Sequence, residues 1–198
     1  MADVPWNSSV LSTGQLKVEA PGIQGNWSAA ITNAIRDLNA LLKASNVNVS
    51  LVTGTSANIT IATTTGPYTF PVNGVNQTGT LRTDIPHGAT RSIDYQLGNK
   101  TTRDHAYTFL PLHPKISQDR TSRDAGEPVL RVIIAHEFLH ALGLDNKHDP
   151  SFNGMFAEKL TPNEGSRPAQ DTLSPWGGTV KMPPLVISGD TITRLQAL

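Results

Sequence analysis

His136, Glu137 and His140 are the residues of this chain whose types and spacing point most directly to chemistry. The two histidines stand at i and i+4, so on a helix both imidazoles leave one face about a turn apart. Ring nitrogens placed that way reach a single metal ion at ~2.0–2.1 Å, the bond length zinc makes to histidine. Glu137 leaves the helix about 100° away, near enough to hold a water on that ion without binding the ion itself. A catalytic zinc takes three protein ligands and keeps its fourth position open, so one more ligand is required.

The segment around this triplet predicts the helix that must carry it. Pro128 suits a first helical turn, where its missing N–H costs nothing, and Glu127 favours the positive end of the helix dipole. From Val129 to Leu142 the run is apolar all round, apart from Arg131 and the His-Glu-His set. That pattern predicts a buried central helix, stopped by Gly143 in a left-handed turn. Two histidines and a glutamate inside a buried helix are costly unless an ion or a reaction uses them.

The stretch His136-Glu137-Phe138-Leu139-His140-Ala141-Leu142-Gly143-Leu144 resembles the metzincin zinc-protease motif H-E-x-x-H-x-x-G-x-x-H, and most closely its matrixin version. Met155-Phe156 lies where that family has its Met-turn, a methionine loop beneath the metal. Residues 187–198 resemble the matrixin C-terminal helix, and the helix and strands upstream follow the family's order. The resemblance implies an α+β fold: a twisted mixed β-sheet with a crossover helix, a buried zinc-binding helix and a C-terminal helix. It also implies a single catalytic domain over 1–198, with an upper subdomain to about 143 and a lower one over about 144–198.

There is one departure. The family's third histidine falls at position 146, where this chain has Asn146, and an amide oxygen is a weak neutral ligand for zinc. His148 follows two residues later, and an insertion within 145–147 lets it reach the metal, so His148 is the leading third ligand. Asp145, Asp149 and Asn146 stay open as alternatives. Glu158 would serve in a glutamate-type zinc protease, but its segment meets Pro162 too soon for a second helix, and Gly143 and Met155 then go unexplained.

The remaining elements must position these groups. Residues 16–20 alternate before a Pro21-Gly22 turn and read as a strand. Trp27, Ile31, Ala34, Ile35, Leu38, Leu41 and Leu42 fall at helical spacing over 27–43, with Asn26 as N-cap and Arg36 and Asp37 on the outer face. Alternation over 47–52 and 57–62 predicts two more strands. Residues 66–127 predict short strands near 68–72, 79–83 and 90–96 between long loops, with 111–127 a surface loop.

Composition narrows the function. The 198 residues carry equal numbers of acidic and basic side chains, so no basic footprint argues for nucleic acid or anionic membrane. Without cysteine, thiolate zinc sites, cysteine nucleophiles, disulfides and a cysteine-bearing inhibitory switch are all excluded from this chain. Only 16% of residues are charged while Gly and Pro are plentiful, a balance common in extracellular, β-rich proteins. Asn-x-Ser/Thr triplets begin at Asn7, Asn26, Asn48, Asn58, Asn76 and Asn99, acceptors only on a eukaryotic secretory route.

The resemblance therefore implies a zinc-dependent endopeptidase that hydrolyses peptide bonds through a metal-activated water, with Glu137 as general base and His136 and His140 as ligands, to which the residue chemistry adds His148 as the expected third. The expected protein is a secreted monomer that takes polypeptide substrates along a sheet edge, with a removed pro-segment, a dedicated protein inhibitor or no inhibitory control all open; an effector or toxin delivered into cells is the alternative. Residues 161–184, including Pro175-Trp176-Gly177-Gly178, would line the pocket beyond the cut. His105-Ala106-Tyr107 resembles part of the matrixin structural-zinc site, without its aspartate partners, and Asp84, Asp94, Asp104, Asp119 and Asp124 lack a calcium-loop cadence. Two other functions remain: a metzincin-fold binding protein that has lost catalysis, for which Asn146 argues and Glu137 does not, and a non-proteolytic zinc hydrolase.

Overall fold

Alternating apolar residues build the sheet, and one amphipathic helix joins its first two parallel strands. The computed structural model describes residues 3–83, 87–118, 121–145 and 185–198. A short helix α1 (Ser8–Thr13) precedes β1 (Gln15–Glu19), α2 (Asn26–Ala44), β2 (Ser50–Thr53) and β3 (Ile59–Thr64). Two hairpins follow, β4 (Pro67–Val72) with β5 (Val75–Thr80), and β6 (Ala89–Leu97) with β7 (Lys100–Pro111). A small hairpin of β8 (Lys115–Gln118) and β9 (Thr121–Asp124) leads into α3 (Glu127–Ala141), and α4 (Gly189–Gln196) closes the chain.

Five strands form a mixed sheet in the order β2-β1-β3-β7-β6, parallel except for β6, which pairs antiparallel with β7. Helix α2 makes the crossover between β1 and β2 that parallel pairing demands. Its apolar stripe, Trp27, Ala30, Ile31, Ala34, Ile35, Leu38 and Leu42, is buried together with α3 and with Leu16, Val18, Ile59 and Ile61 of the sheet. The mixed sheet, crossover helix, buried helix and C-terminal helix expected from the sequence are all present.

Several details correct the sequence reading. Gly25, not Asn26, caps α2, because the chain enters the helix at φ +65°, a conformation open to glycine. Asp37 does not face outward: it accepts a 2.6 Å bond from Arg131 Nη1 and ties α2 to α3. Helix α1 was not foreseen, although Asn7 caps it by accepting from the N–H groups of Ser9 and Val10. The loop expected over 111–127 contains the β8–β9 hairpin, and the strand expected near 79–83 lies at Val75–Thr80.

The largest correction is β7, twelve residues long and interior to the sheet, where no strand was expected. It is covered on both faces: Ala106, Thr108 and Leu110 are fully buried, while Phe109 stacks on Tyr68 of the β4–β5 hairpin at 4.1 Å. A strand covered on both sides loses the apolar–polar alternation by which strands are recognised. A β-bulge adds to this. Ile93 opposes His105 and Asp94 opposes Arg103, leaving Asp104 as the extra residue. The bulge turns Arg103 inward, toward the end of α3.

Candidate active site

Helix α3 buries ten of its fifteen residues, Glu137 among them, while His136 and His140 are half-buried. His136 and His140 meet edge to face, with ring centroids 4.7 Å apart and the two Nε2 atoms 3.1 Å apart. His140 Nδ1 lies 3.0 Å from the Leu144 carbonyl oxygen. That oxygen can only accept, so Nδ1 carries a proton, which leaves Nε2, turned toward His136, as the nitrogen able to offer a lone pair to a metal. Burial, reinforced by His140, pushes the His136 pKa down to about 3, so this ring is neutral at ordinary pH.

This geometry fits a metal. Two nitrogens bound tetrahedrally to one zinc at ~2.0–2.1 Å lie about 3.3–3.4 Å apart, close to the separation of the two Nε2 atoms. The carbonyl behind His140 is the outer-shell acceptor that metal-binding histidines use to hold their tautomer. Among the described residues no third histidine, aspartate or glutamate joins the pair. Asp145, one alternative for the third ligand, is turned elsewhere: its N–H donates to Asp3 at 3.0 Å and its carboxylate lies 3.5 Å from Arg194 Nη2. His148, Asn146, Asp149, Met155, Glu158 and the segment 161–184 lie outside the described residues.

Glu137 is 3% exposed and reaches across to the start of β6. Its Oε2 accepts a 2.7 Å bond from the Thr90 hydroxyl, and the backbone N–H groups of Gly88 and Thr90 also donate to the carboxylate. Burial pushes its pKa up to about 7, against the pull of the Thr90 hydroxyl, the Arg91 charge and the two backbone donors. A carboxylate in that range can take a proton from water and return it near neutrality. Gly88 is required here, because a Cβ at that position would fall 2.6 Å from Glu137 Cγ.

The C-terminal end of α3 is tied down more heavily than its sequence suggests. Arg103 Nη1 donates to the His140 carbonyl at 2.6 Å and Nε pairs with Asp94 at 3.1 Å, while Trp6 Nε1 donates to the Ala141 carbonyl at 3.0 Å. Val4 N–H donates to Gly143 O, and Asp3 pairs with Arg194 of α4 at 2.6 Å. Gly143 has φ +131°, and a Cβ there would meet Val4 O at 2.6 Å. The glycine therefore turns the chain as expected and also lets the N-terminal segment pass against it.

Gly88, Thr90, Arg103 and the Leu144 carbonyl escaped sequence reasoning. One threonine in a threonine-rich chain and one arginine on an unrecognised strand carry no local signal. The bulge that aims Arg103 is a property of strand pairing. Away from the helix, His105 Nε2 lies 3.0 Å from Thr60 Oγ1, whose hydroxyl is also 3.0 Å from Glu19 Oε1, and its ring packs on Tyr107 at 4.4 Å. Asp94 and Asp104 are engaged by Arg103 and Asn7. Among the described residues these make no second cluster of metal ligands.

No family model matches this chain, and no curated protein does. Among solved structures, high choriolytic enzyme 1, a hatching enzyme zinc-protease from the medaka fish Oryzias latipes, aligns with 96% of this chain and 92% of its own, at 16% identity and a TM-score of 0.39. A superposition that loose leaves the chemistry to be argued from the residues of the site. No helix among the described residues is long and apolar enough to cross a membrane.

Proposed function

We propose that this chain is a single-domain zinc metalloendopeptidase of metzincin type, nearest the matrixins. The observation that carries the reading is the His136–His140 pair, with its Nε2 atoms 3.1 Å apart and the tautomer of His140 set by Leu144 O. His136 and His140 would hold the zinc, with His148 as the proposed third ligand. Zinc, when bound, supplies a Lewis acid that polarises the scissile carbonyl and makes water easier to deprotonate.

The chain's own groups do the rest. Glu137 takes a proton from water and passes it to the leaving amine, and the first residues of β6 keep its carboxylate from swinging out of place. The substrate would lie as an added strand on the outer edge of β6, which no described strand covers. A peptide on β6 runs past Thr90, and so past Glu137.

The experiment is cleavage of an unfolded, dye-labelled protein by the zinc-loaded chain. Turnover should stop with a chelator, return with zinc, and be absent in Glu137→Ala with zinc still bound. Turnover that survives in Glu137→Ala would remove the assigned base. A zinc-binding protein that cuts nothing would favour the binding-protein reading.

A further inference from the structure

We infer that Thr90 is a positioning residue for the general base, holding Glu137 through its hydroxyl and backed by the buried Thr108. This rests on the reading of Glu137 as the base. The Thr90 hydroxyl has one proton and three oxygens in reach: Glu137 Oε2 at 2.7 Å, Glu137 O at 3.2 Å and Thr108 Oγ1 at 3.2 Å. The proton goes to the nearest, the carboxylate, where the bond is charge-assisted. Thr108 can then donate its own hydroxyl proton to Thr90 Oγ1.

Thr108 is fully buried and stands directly opposite Thr90 in the β6–β7 pairing. Two threonines on paired strands thus aim one proton at a carboxylate carried by a third element. Because β6 is also the proposed substrate edge, one strand sets both the line of the peptide and the place of the base. A carboxylate displaced by about 1 Å from its working position costs on the order of a hundredfold in rate.

The test uses the full chain loaded with zinc and the same unfolded substrate. Thr90→Val keeps the shape without the hydroxyl, Thr90→Ala removes the hydroxyl without placing a second methyl near Glu137, and Thr90→Ser keeps the hydroxyl. Val and Ala should lower kcat by roughly 10- to 100-fold with KM within about twofold and zinc content unchanged, while Ser stays near the parent. Equal losses in Val and Ser, or a change in KM alone, would overturn the role.

A second readout needs no turnover. In the zinc-free protein, Tm shifts of Thr90→Val, Glu137→Ala and the double variant should be non-additive. Additive shifts would mean that the two side chains do not interact. A parent chain that cleaves nothing would end the protease reading, while this cycle would still decide the contact.

Discussion

Replacing Arg103 by Met tests how the end of the histidine-bearing helix is held. Arg103 is 6% exposed and makes three contacts: Nη1 to His140 O at 2.6 Å, Nη1 to Ala141 O at 3.3 Å, and Nε to Asp94 at 3.1 Å. Methionine restores the aliphatic packing but leaves the His140 carbonyl without its charged donor. Hydrogen bonds from charged groups contribute about 1.5–3 kcal/mol each. Asp94 keeps the Ser92 hydroxyl at 3.0 Å and is partly open to water, so its loss is small. The Ala141 carbonyl keeps Trp6 Nε1. The His140 carbonyl keeps the Gly143 N–H at 3.1 Å, so the expected cost is about 1.5–3 kcal/mol, or roughly 3–12 °C in Tm for a domain of this size. Thermal unfolding of the zinc-free chain reads it directly. Arg103→Lys should fall between the two, since an ammonium cannot bridge the helix end and Asp94 as the guanidinium does. A melting point for Arg103→Met within about 2 °C of the parent would refute the capping role.

Three further outcomes follow from the same structure. Zinc affinity should drop in His148→Ala and stay unchanged in Asn146→Ala; the reverse in a zinc-binding titration would give the third position to the amide. Gly143→Ala should cost about 2 kcal/mol or more from its φ of +131° and the 2.6 Å approach to Val4 O, and an unchanged urea midpoint would contradict that crowding. Burial lowers the His105 pKa below 6.5, outweighing the opposing pull of Asp104 and Glu19. The unfolded chain therefore binds that proton at higher pH than the folded one, and stability declines as pH falls from above 6.5 toward the lowered value. In His105→Gln this part of the Tm–pH curve should flatten, and an unaltered slope would refute the assignment.

The chain's sequence by itself determined the chemistry on offer and the helix that presents it. His136, Glu137 and His140 sit on a run apolar on every side, and helical spacing follows from local geometry alone. The same holds for α2 and for the alternating strands β1 and β3, whose patterns show one buried face. Only the tertiary structure decided what surrounds the triplet. β7 is exposed at its start and buried on successive residues at its end, so it shows no single period and the strand that carries Arg103 and Thr108 was invisible. Thr90 and Gly88 reach Glu137 across 47 and 49 residues of chain, and Trp6 reaches Ala141 across 135. Contacts at such separations arise from strand order and from a bulge at Asp104, and neither leaves a local mark. The physical reason is that spacing along the chain sets which side chains share a face, while packing between elements sets which faces meet.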